Sequence, residues 1–358
     1  MSATLWSPID VGNIHLNHRL AMAPMTRGRA TPEGVPTELN AEYYAQRAST
    51  ALIITEGTQP SADGQGYLLT PGVYTDEQIA GWRLVTDAVH RAGGRIVIQL
   101  MHVGRIAHPS NTPHGRQPVA PSAIAPSGMI FTAAGPMAMP EPRALSTDEI
   151  TQTVNDYRTA AGAAIAAGAD GVEIHGANGY LVHQFLATNA NQRSDRYGAS
   201  IPNRIRFAVE VTSEVAKEIG AGRTGIIISP GNPFNDLAED DVDELYGALV
   251  QALAPLGLAY LNVVHGGDED LIRTIRQDWP GTLLLNRPVV DIDTRIKDLE
   301  NGLADVITVG TRALANPDLV ARVKAGAPLN EPDPSTFYGG DERGYIDYPT
   351  LASTLERV

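Results

Sequence analysis

The sequence contains no cysteine among its 358 residues, which excludes disulfide bonds, thiolate metal ligands and cysteine nucleophiles. A chain without cysteine suits the cytoplasm, and we expect that location. Long apolar stretches are also missing. The apolar runs are far shorter than the ~20 residues that a membrane-spanning helix needs, so we expect no membrane partner.

Cationic residues are in deficit. The chain has 27 Lys and Arg against 41 Asp and Glu, for a net charge of −14. A surface that follows phosphate groups needs an excess of Lys and Arg, so this balance disfavours nucleic acid as a partner. The first residues, Met1–Trp6, have neither a basic region nor an apolar stretch, and we expect no signal peptide.

Two functional signatures are absent as well. No G-x-G-x-x-G follows a predicted strand, which disfavours a dinucleotide-binding fold of the Rossmann type. No carboxylates and histidines recur at metal-ligand spacing, and we expect no catalytic metal.

What the sequence does contain is a regular alternation of short apolar strands and helix-length segments. We predict eight strands: Arg19–Met22, Leu52–Thr55, Arg95–Leu100, Gly171–Ile174, Gly225–Ser229, Tyr260–Val264, Thr282–Leu285 and Asp305–Val309. The predicted helices are Glu38–Ser49, Asp76–Ala92, Thr147–Ala167, Asn203–Ile219, Glu239–Ala254, Glu269–Asp278, Asp291–Asn301 and Pro317–Ala325. Eight such units favour an α/β fold of the closed (β/α)8 TIM-barrel type. We expect a single domain over residues 1–358.

Two segments interrupt this alternation. Residues 103–145 are rich in Pro, Ala and Ser and contain no predicted helix, and a loop of this length after the third strand is typical of a lid. Residues Trp6–His18, with Gly12 and Asn13 at their centre, are predicted to form a hairpin at the opposite end of the barrel.

Barrel enzymes carry their chemistry at the carboxyl ends of the strands. After the fourth strand come His175, Asn178 and Tyr180. His175 and Asn178 can both donate hydrogen bonds to one carbonyl oxygen, which stabilises the enolate formed when a nucleophile such as hydride adds to a conjugated double bond. The Tyr180 phenol can act as the general acid. We therefore predict these three residues as catalytic.

Six motifs in the same order make the chain resemble the old yellow enzyme family, the FMN-dependent ene-reductases, from end to end. The motifs are Met22–Arg27, Gln99–Arg105, His175–Leu186, Asn191–Gly198 with Asn203-Arg204, Ala315–Leu319, and Phe337–Gly340 with Gly344–Pro349. The resemblance implies that His175 and Asn178 bind the substrate carbonyl and that Tyr180 protonates the neighbouring carbon. It also implies that Tyr67 and Tyr338 contact the substrate.

The resemblance further implies an FMN cofactor, reduced by NAD(P)H, which passes hydride to the alkene of an α,β-unsaturated carbonyl compound in a ping-pong cycle. The residues implied to bind the flavin ring are Pro24, Met25, Thr26, Gly57 and Gln99. Near the phosphate, we predict Arg287, Gly310 and Arg312 as cofactor-binding residues, although two of these positions depart from the family pattern. A homo-oligomer is compatible with the sequence.

Three positions depart from the family pattern. Ile227 stands where the family carries an arginine beside the flavin, Asn286-Arg287-Pro288 replaces a glycine-containing turn that supplies backbone N–H groups, and Thr311 displaces an arginine to Arg312. Proline has no N–H to donate. Two interpretations follow: Arg287 and Arg312 bind the phosphate instead, or the flavin is lost and the barrel performs a redox-neutral isomerisation, cyclisation or lyase reaction. A third is a binding protein without catalysis.

Overall fold

The computed structural model describes residues 4–355 and contains a closed barrel of eight parallel strands. The strands of the described part, numbered in chain order, are β1 (Ile9–Val11), β2 (Ile14–Leu16), β3 (Leu20–Met22), β4 (Ile53–Ile54), β5 (Ile96–Leu100), β6 (Val119–Ala120), β7 (Met129–Thr132), β8 (Gly135–Ala138), β9 (Arg143–Ala144), β10 (Gly171–Gly176), β11 (Thr224–Ile228), β12 (Tyr260–Val264), β13 (Leu283–Asn286) and β14 (Val306–Val309). The barrel order is β3-β4-β5-β10-β11-β12-β13-β14, closed by β14 against β3. This confirms the predicted (β/α)8 barrel.

Helices connect the barrel strands. In the described residues they are α1 (Glu38–Gln46), α2 (Asp76–Arg91), α3 (Thr147–Ala166), α4 (Leu181–Leu186), α5 (Ile201–Arg204), α6 (Arg206–Ile219), α7 (Val242–Leu253), α8 (Glu269–Asp278), α9 (Ile292–Glu300), α10 (Thr311–Ala315), α11 (Leu319–Ala325) and α12 (Leu351–Leu355). Within residues 4–355, none of them combines the length and the apolar character needed to cross a bilayer.

The barrel strands are buried on both faces, as their apolar runs predict. Every residue of β5, β10, β11 and β12 is buried, which is typical of a parallel sheet covered by helices. All eight predicted strands are present. The second, predicted over Leu52–Thr55, is reduced to Ile53–Ile54.

The hairpin predicted at the amino-terminal end of the barrel is confirmed. Strands β1 and β2 pair antiparallel, with Val11 opposite Ile14. Gly12 turns the chain at φ +57°, and a Cβ there would overlap the Gly222 carbonyl oxygen. The Asn13 N–H donates to that same oxygen at 2.8 Å. Gly222 lies two residues before β11, so the hairpin covers the end of the barrel opposite the predicted active site.

The helices depart from prediction at several loops. The predicted helix Asn203–Ile219 is two helices, α5 and α6, and the helix predicted from Glu239 begins at Val242. Helices α4 and α10 were not predicted. Both follow directly on the carboxyl end of a barrel strand, where they fix the loops that carry the predicted site residues.

Residues 103–145 leave the barrel after β5 and return at α3. They contain a parallel pair, β6 with β9, and an antiparallel hairpin, β7 with β8. Ile106, Ile130 and Met139 of this segment form a buried apolar cluster with Met101 and Tyr180. The segment therefore packs against the predicted catalytic tyrosine at the carboxyl end of the barrel.

Candidate active site

The predicted catalytic residues lie together at the end of β10. His175 is on the strand itself, and Asn178 and Tyr180 are on the turn that leads into α4. The rings of His175 and Tyr180 meet edge to face, with centroids 4.8 Å apart. The sequence pattern and the structure thus agree that these side chains share one site.

His175 is held as a neutral imidazole. Burial, helped by the nearby His183, lowers its pKa to about 3. Its Nδ1 accepts the backbone N–H of Ala177 at 3.3 Å, so the proton of the neutral ring resides on Nε2. Nε2 is consequently a hydrogen-bond donor at every working pH, as a carbonyl anchor requires.

Asn178 is oriented by its neighbours after β11. Its backbone N–H donates to the Ser229 hydroxyl at 2.8 Å, and its Oδ1 accepts from the Asn232 amide at 2.9 Å. Its backbone oxygen accepts from Asn235 at 2.8 Å. Because Oδ1 is occupied, the Nδ2 group is left as the donor for a ligand. The φ of +54° at Asn178 is one that asparagine tolerates better than most residues.

Tyr180 pairs with the other predicted substrate-binding tyrosine of this region. The two hydroxyl oxygens of Tyr67 and Tyr180 are 3.1 Å apart. Burial raises the pKa of Tyr180 above its ordinary value and raises that of Tyr67 still further. Both phenols are therefore protonated at neutral pH, and Tyr67 can donate to the Tyr180 oxygen while Tyr180 donates its own proton elsewhere.

A cavity of about 620 Å³ opens above Tyr180. Besides Tyr67 and Tyr180 its walls include Thr26, Phe131, Phe234 and Tyr338. The last three are exposed apolar side chains at its mouth. A volume of this size and an apolar lining suit a small organic ligand.

A second cavity, of about 870 Å³, lies on the other side of the segment after β3. Its walls include Pro24, Met25, Gly310 and Arg312, all predicted cofactor-binding residues. Thr26, next in sequence, lines the first cavity. Consecutive residues of one segment, 24–26, therefore contribute to the walls of both cavities. The buried Glu56 carboxylate holds the following turn by accepting the N–H groups of Arg27 and Gly28 at 3.0 and 2.9 Å.

Gly57 follows β4 and packs against Met101. A Cβ at Gly57 would overlap the Sδ and Cε atoms of Met101, so a larger residue here would require the Met101 side chain to move. Gly57 does not line either of the two cavities in the described part of the chain. Its contact with Met101 fixes the floor beside the first cavity.

Gln99 lies deeper in the barrel, beside a buried carboxyl group. Its Nε2 donates to Glu173 at 2.7 Å, and Asn262 donates to the other Glu173 oxygen at 2.9 Å. Burial raises the pKa of Glu173 to about 7. Ile227 is buried next to this group, packed with Ala177 and Val264. The position that the family pattern fills with an arginine, Ile227, is thus apolar. Gln99 retains one N–H and its Oε1 for a ligand.

The raised pKa of Glu173 predicts a pH-dependent stability. The native carboxyl binds its proton more tightly than the carboxyl of the unfolded chain. The contribution of Glu173 to the free energy of unfolding is therefore largest below pH 4.5 and decreases as the pH rises towards 7. Glu173→Gln removes the titrating carboxyl and therefore this pH-dependent loss of stability. If the Asn262 amide rotates, its buried and unpartnered Oδ1 can accept a hydrogen bond from the new side-chain amide. We expect the variant to gain stability on the wild type between pH 5 and 8, by on the order of 2 kcal/mol.

Urea unfolding at several pH values measures this difference. The exposed Glu214→Gln variant serves as the control, since its partner Lys217 is also at the surface and such pairs contribute little. Parallel stability curves for Glu173→Gln and the wild type would show that the native carboxyl titrates normally.

Arg287 is not where the sequence-based hypothesis put it. Its guanidinium makes four hydrogen bonds to two carboxylates, at 2.6 and 3.0 Å to Glu269 and at 2.6 and 3.0 Å to Asp298. The hydrogen bond to Glu269 is the main cause that raises its pKa. Arg287 is absent from the lining of the 870 Å³ cavity. Since its charge is already neutralised, it is unsuited to bind a phosphate.

The structure brings forward residues that the sequence did not single out. Ser229, Asn232 and Asn235 orient Asn178, Glu173 binds Gln99, and Arg295 lines the larger cavity. The first three follow the end of β11, so the rule that strand ends carry function would have found them. Glu173 gave a signal too, as an acidic residue inside an otherwise apolar strand.

The described residues contain no group of three or more His, Asp or Glu side chains able to hold a metal ion. The site is built instead from neutral donors: an imidazole, amides and phenols. Such donors suit a polarised carbonyl oxygen and a heteroaromatic ring.

Comparison with known proteins identifies the family. The sequence profile of the NADH:flavin oxidoreductase / NADH oxidase family matches residues 4–330. A probable flavin mononucleotide-dependent alkene reductase of Leishmania infantum is 45% identical over 96% of both chains. The 12-oxophytodienoate reductase 1 of Oryza sativa subsp. japonica is 41% identical over 97% of this chain and 93% of the relative.

Solved structures agree. Morphinone reductase superposes with a TM-score of 0.94 at 44% identity, over 99% of this chain and 98% of that one. The old yellow enzyme homologue of Zymomonas mobilis gives a TM-score of 0.94 at 39% identity, over 97% and 100%. This chain is therefore an enzyme that belongs to the NADH:flavin oxidoreductase / NADH oxidase family, the old yellow enzymes, whose members use FMN with NAD(P)H as reductant.

Proposed function

We propose that this protein is an ene-reductase that uses FMN and NAD(P)H, in a ping-pong cycle, to reduce the carbon–carbon double bond of α,β-unsaturated carbonyl compounds. The observation that carries the proposal is the group of three donors, His175, Asn178 and Tyr180, at the end of β10. Tyr180 lines a substrate-sized cavity together with Thr26, and the preceding residues Pro24 and Met25 line the larger cavity. The relatives named as alkene, oxophytodienoate and morphinone reductases support this proposal.

The residues present fit FMN. The larger cavity, about 870 Å³, has a volume that suits a tricyclic ring and its side chain, and Pro24, Met25 and Gly310 line it. We infer that these residues, Thr26 and Gln99 hold the ring, and that Gly57 shapes the floor beside them. Bound FMN supplies the hydride chemistry.

The protein's own contribution concerns the substrate. His175 Nε2 and Asn178 Nδ2 would donate to its carbonyl oxygen, and they bind more strongly as negative charge develops on that oxygen. Tyr180 would transfer its proton to the α carbon. The Tyr67 hydroxyl, 3.1 Å away, would donate to the resulting phenolate oxygen and so keep it in position.

We also propose that residues 103–145 act as a lid within a single barrel domain. Their apolar cluster covers Tyr180 and Met101, which excludes water from the carbon that receives the proton. Arg105 anchors the segment by donating to the Asp236 backbone oxygen at 2.7 Å. Phe131 at the tip of β7 and Tyr338 flank the opening, and we infer that both contact the substrate there.

A visible spectrum tests the proposal. Purified protein incubated with FMN is expected to show a bound-flavin band near about 450 nm that NAD(P)H bleaches anaerobically and an enone restores. Protein that binds no FMN, yet converts a carbonyl substrate without NAD(P)H, would contradict the proposal and favour the redox-neutral hypothesis. Protein that binds ligands and converts none would leave only a binding function.

A further inference from the structure

The wall of the 870 Å³ cavity contains a buried cation without an anionic partner. Arg295 lines this cavity, is only 5% exposed and makes no ion pair within residues 4–355. Its Nη1 donates to the Thr308 carbonyl at 2.7 Å and to Asn286 Oδ1 at 3.4 Å, and its Nε donates to the Val290 carbonyl at 3.4 Å. Its Nη2 has no partner in the described part of the chain.

The fold explains why this side chain reaches the cavity. Arg295 lies in the first turn of α9, and side chains in a helix point back towards its amino terminus. That terminus faces the mouth of the barrel. The guanidinium therefore comes to rest between the ends of β13 and β14, where Asn286 and Thr308 fix its plane.

A buried charge of this kind is costly unless an anion compensates it. Burial lowers the pKa of Arg295 to about 10, so the group is still cationic at neutral pH. The carboxylates nearest in sequence are engaged elsewhere: Asp298 binds Arg287, and Asp291 accepts the N–H of Thr294 at 2.7 Å as the cap of α9. The protein itself leaves the charge without an ion pair.

We propose that Arg295 binds the phosphate group of FMN and takes over the role of the arginine that the family pattern carries at position 311. The inference rests on the proposed cofactor. The free Nη2 and the planar guanidinium suit a phosphate oxygen. Ile292 and Asp293, the first residues of α9, line the same cavity, and a helix amino terminus favours an anion.

Other charges at this cavity fit the assignment. Asp291, Asp293 and Glu331 also line it, but all three are exposed, and solvent screens exposed charges far more than buried ones. Arg312 is paired with Glu331 at 2.9 Å and is itself 41% exposed. Arg312 is therefore a rim contact, and Arg295 is the cation inside the wall.

The test compares two ligands that differ only in the phosphate. Apoprotein is titrated with FMN and with riboflavin, and affinity is followed by quenching of flavin fluorescence. Arg295→Met is expected to weaken FMN binding by at least about tenfold and to leave riboflavin binding unchanged. Arg158→Met, at the surface of α3 where Arg158 pairs with Glu218, is the matched control and is expected to bind both flavins as the wild type does.

Several results would overturn the assignment. One is wild-type FMN affinity in Arg295→Met. Another is a preference for FMN that disappears in Arg312→Met and persists in Arg295→Met. A parallel loss of both flavins in a variant with a wild-type circular dichroism spectrum would also count against it.

Two further measurements cover the remaining cases. If Arg295→Met does not fold, Arg295→Lys keeps the charge but loses the planar donors, and it is expected to bind FMN several-fold more weakly; equal affinity overturns the proposal. If wild-type protein binds neither flavin, the proposed function fails separately. Inorganic phosphate then decides the inference: it should raise the unfolding temperature of the wild type and not that of Arg295→Met.

Discussion

Tyr180→Phe is expected to lower kcat for enone reduction by about 10²–10⁴-fold, the usual contribution of a positioned general acid. The variant removes one oxygen atom and keeps the ring that packs edge to face on His175, 4.8 Å between centroids. The substrate carbonyl would still bind to His175 and Asn178. KM should therefore remain near the wild-type value while kcat and kcat/KM fall together, which marks an interaction made only in the transition state.

Steady-state kinetics with a single enone measure the fall in kcat. Two other Tyr→Phe variants serve as comparisons for its size. Tyr197→Phe removes a hydroxyl that contacts Glu210 at 2.9 Å far from the cavity, so its turnover should equal that of the wild type. Tyr67→Phe removes the hydrogen-bond partner of Tyr180 and should cost less than Tyr180→Phe. A Tyr180→Phe enzyme with wild-type kcat would mean that another group or water supplies the proton.

The barrel was predictable because its cause is local. Strands buried on both faces must be apolar along their whole length, and β11 and β13 show this in their Ile and Leu runs. Helix α4 was not predictable from a local sequence pattern. Its six residues, Leu181–Leu186, are all buried, so they show no amphipathic period, and tertiary packing alone holds them in a helix.

The grouping of His175, Asn178 and Tyr180 was predictable for a related reason: the three residues are close in sequence and follow a strand end. The position of Arg295, the buried cation of the larger cavity, was not predictable from the sequence. Arg287 directly follows a strand end, but Glu269 and Asp298, 18 and 11 residues away, bind it. Arg295 lies eight residues further on, in the first turn of α9. The neighbours from other elements decide whether Arg287 or Arg295 points into the cavity. These tertiary contacts cannot be inferred from the sequence strand by strand.

Weakening the carbonyl anchor is the second change with a large expected effect. His175→Ala and Asn178→Asp should each lower kcat/KM by about 10²–10³-fold, as loss of one oxyanion donor does elsewhere. Aspartate is preferred to alanine at position 178 because it tolerates the φ of +54°. It can also keep the hydrogen bond from Asn232. It replaces the Nδ2 donor by an oxygen that repels the developing negative charge.

We propose that the two donors act on one oxygen, and on that basis the double variant should lose less than the product of the single losses. His90→Ala, which removes a partly exposed imidazole bound to Asp170, is the control for histidine replacement and should retain full activity. Losses that multiply without coupling would mean that His175 and Asn178 contact different parts of the substrate.

The wild-type pH profile separates the two forms in which His175 can donate. Because burial lowers the pKa of His175 to about 3, the ring is neutral throughout the working range. The kcat/KM of the wild type should therefore show no inflection near pH 6.5 that is due to His175, and the pH profile of the remaining activity in His175→Ala should have the same shape. An imidazolium donor would instead produce such a limb, with activity falling as the pH rises. The neutral donor has a chemical advantage at this site: with its second proton absent, Nε2 stabilises the enolate oxygen without competing with Tyr180 as the acid.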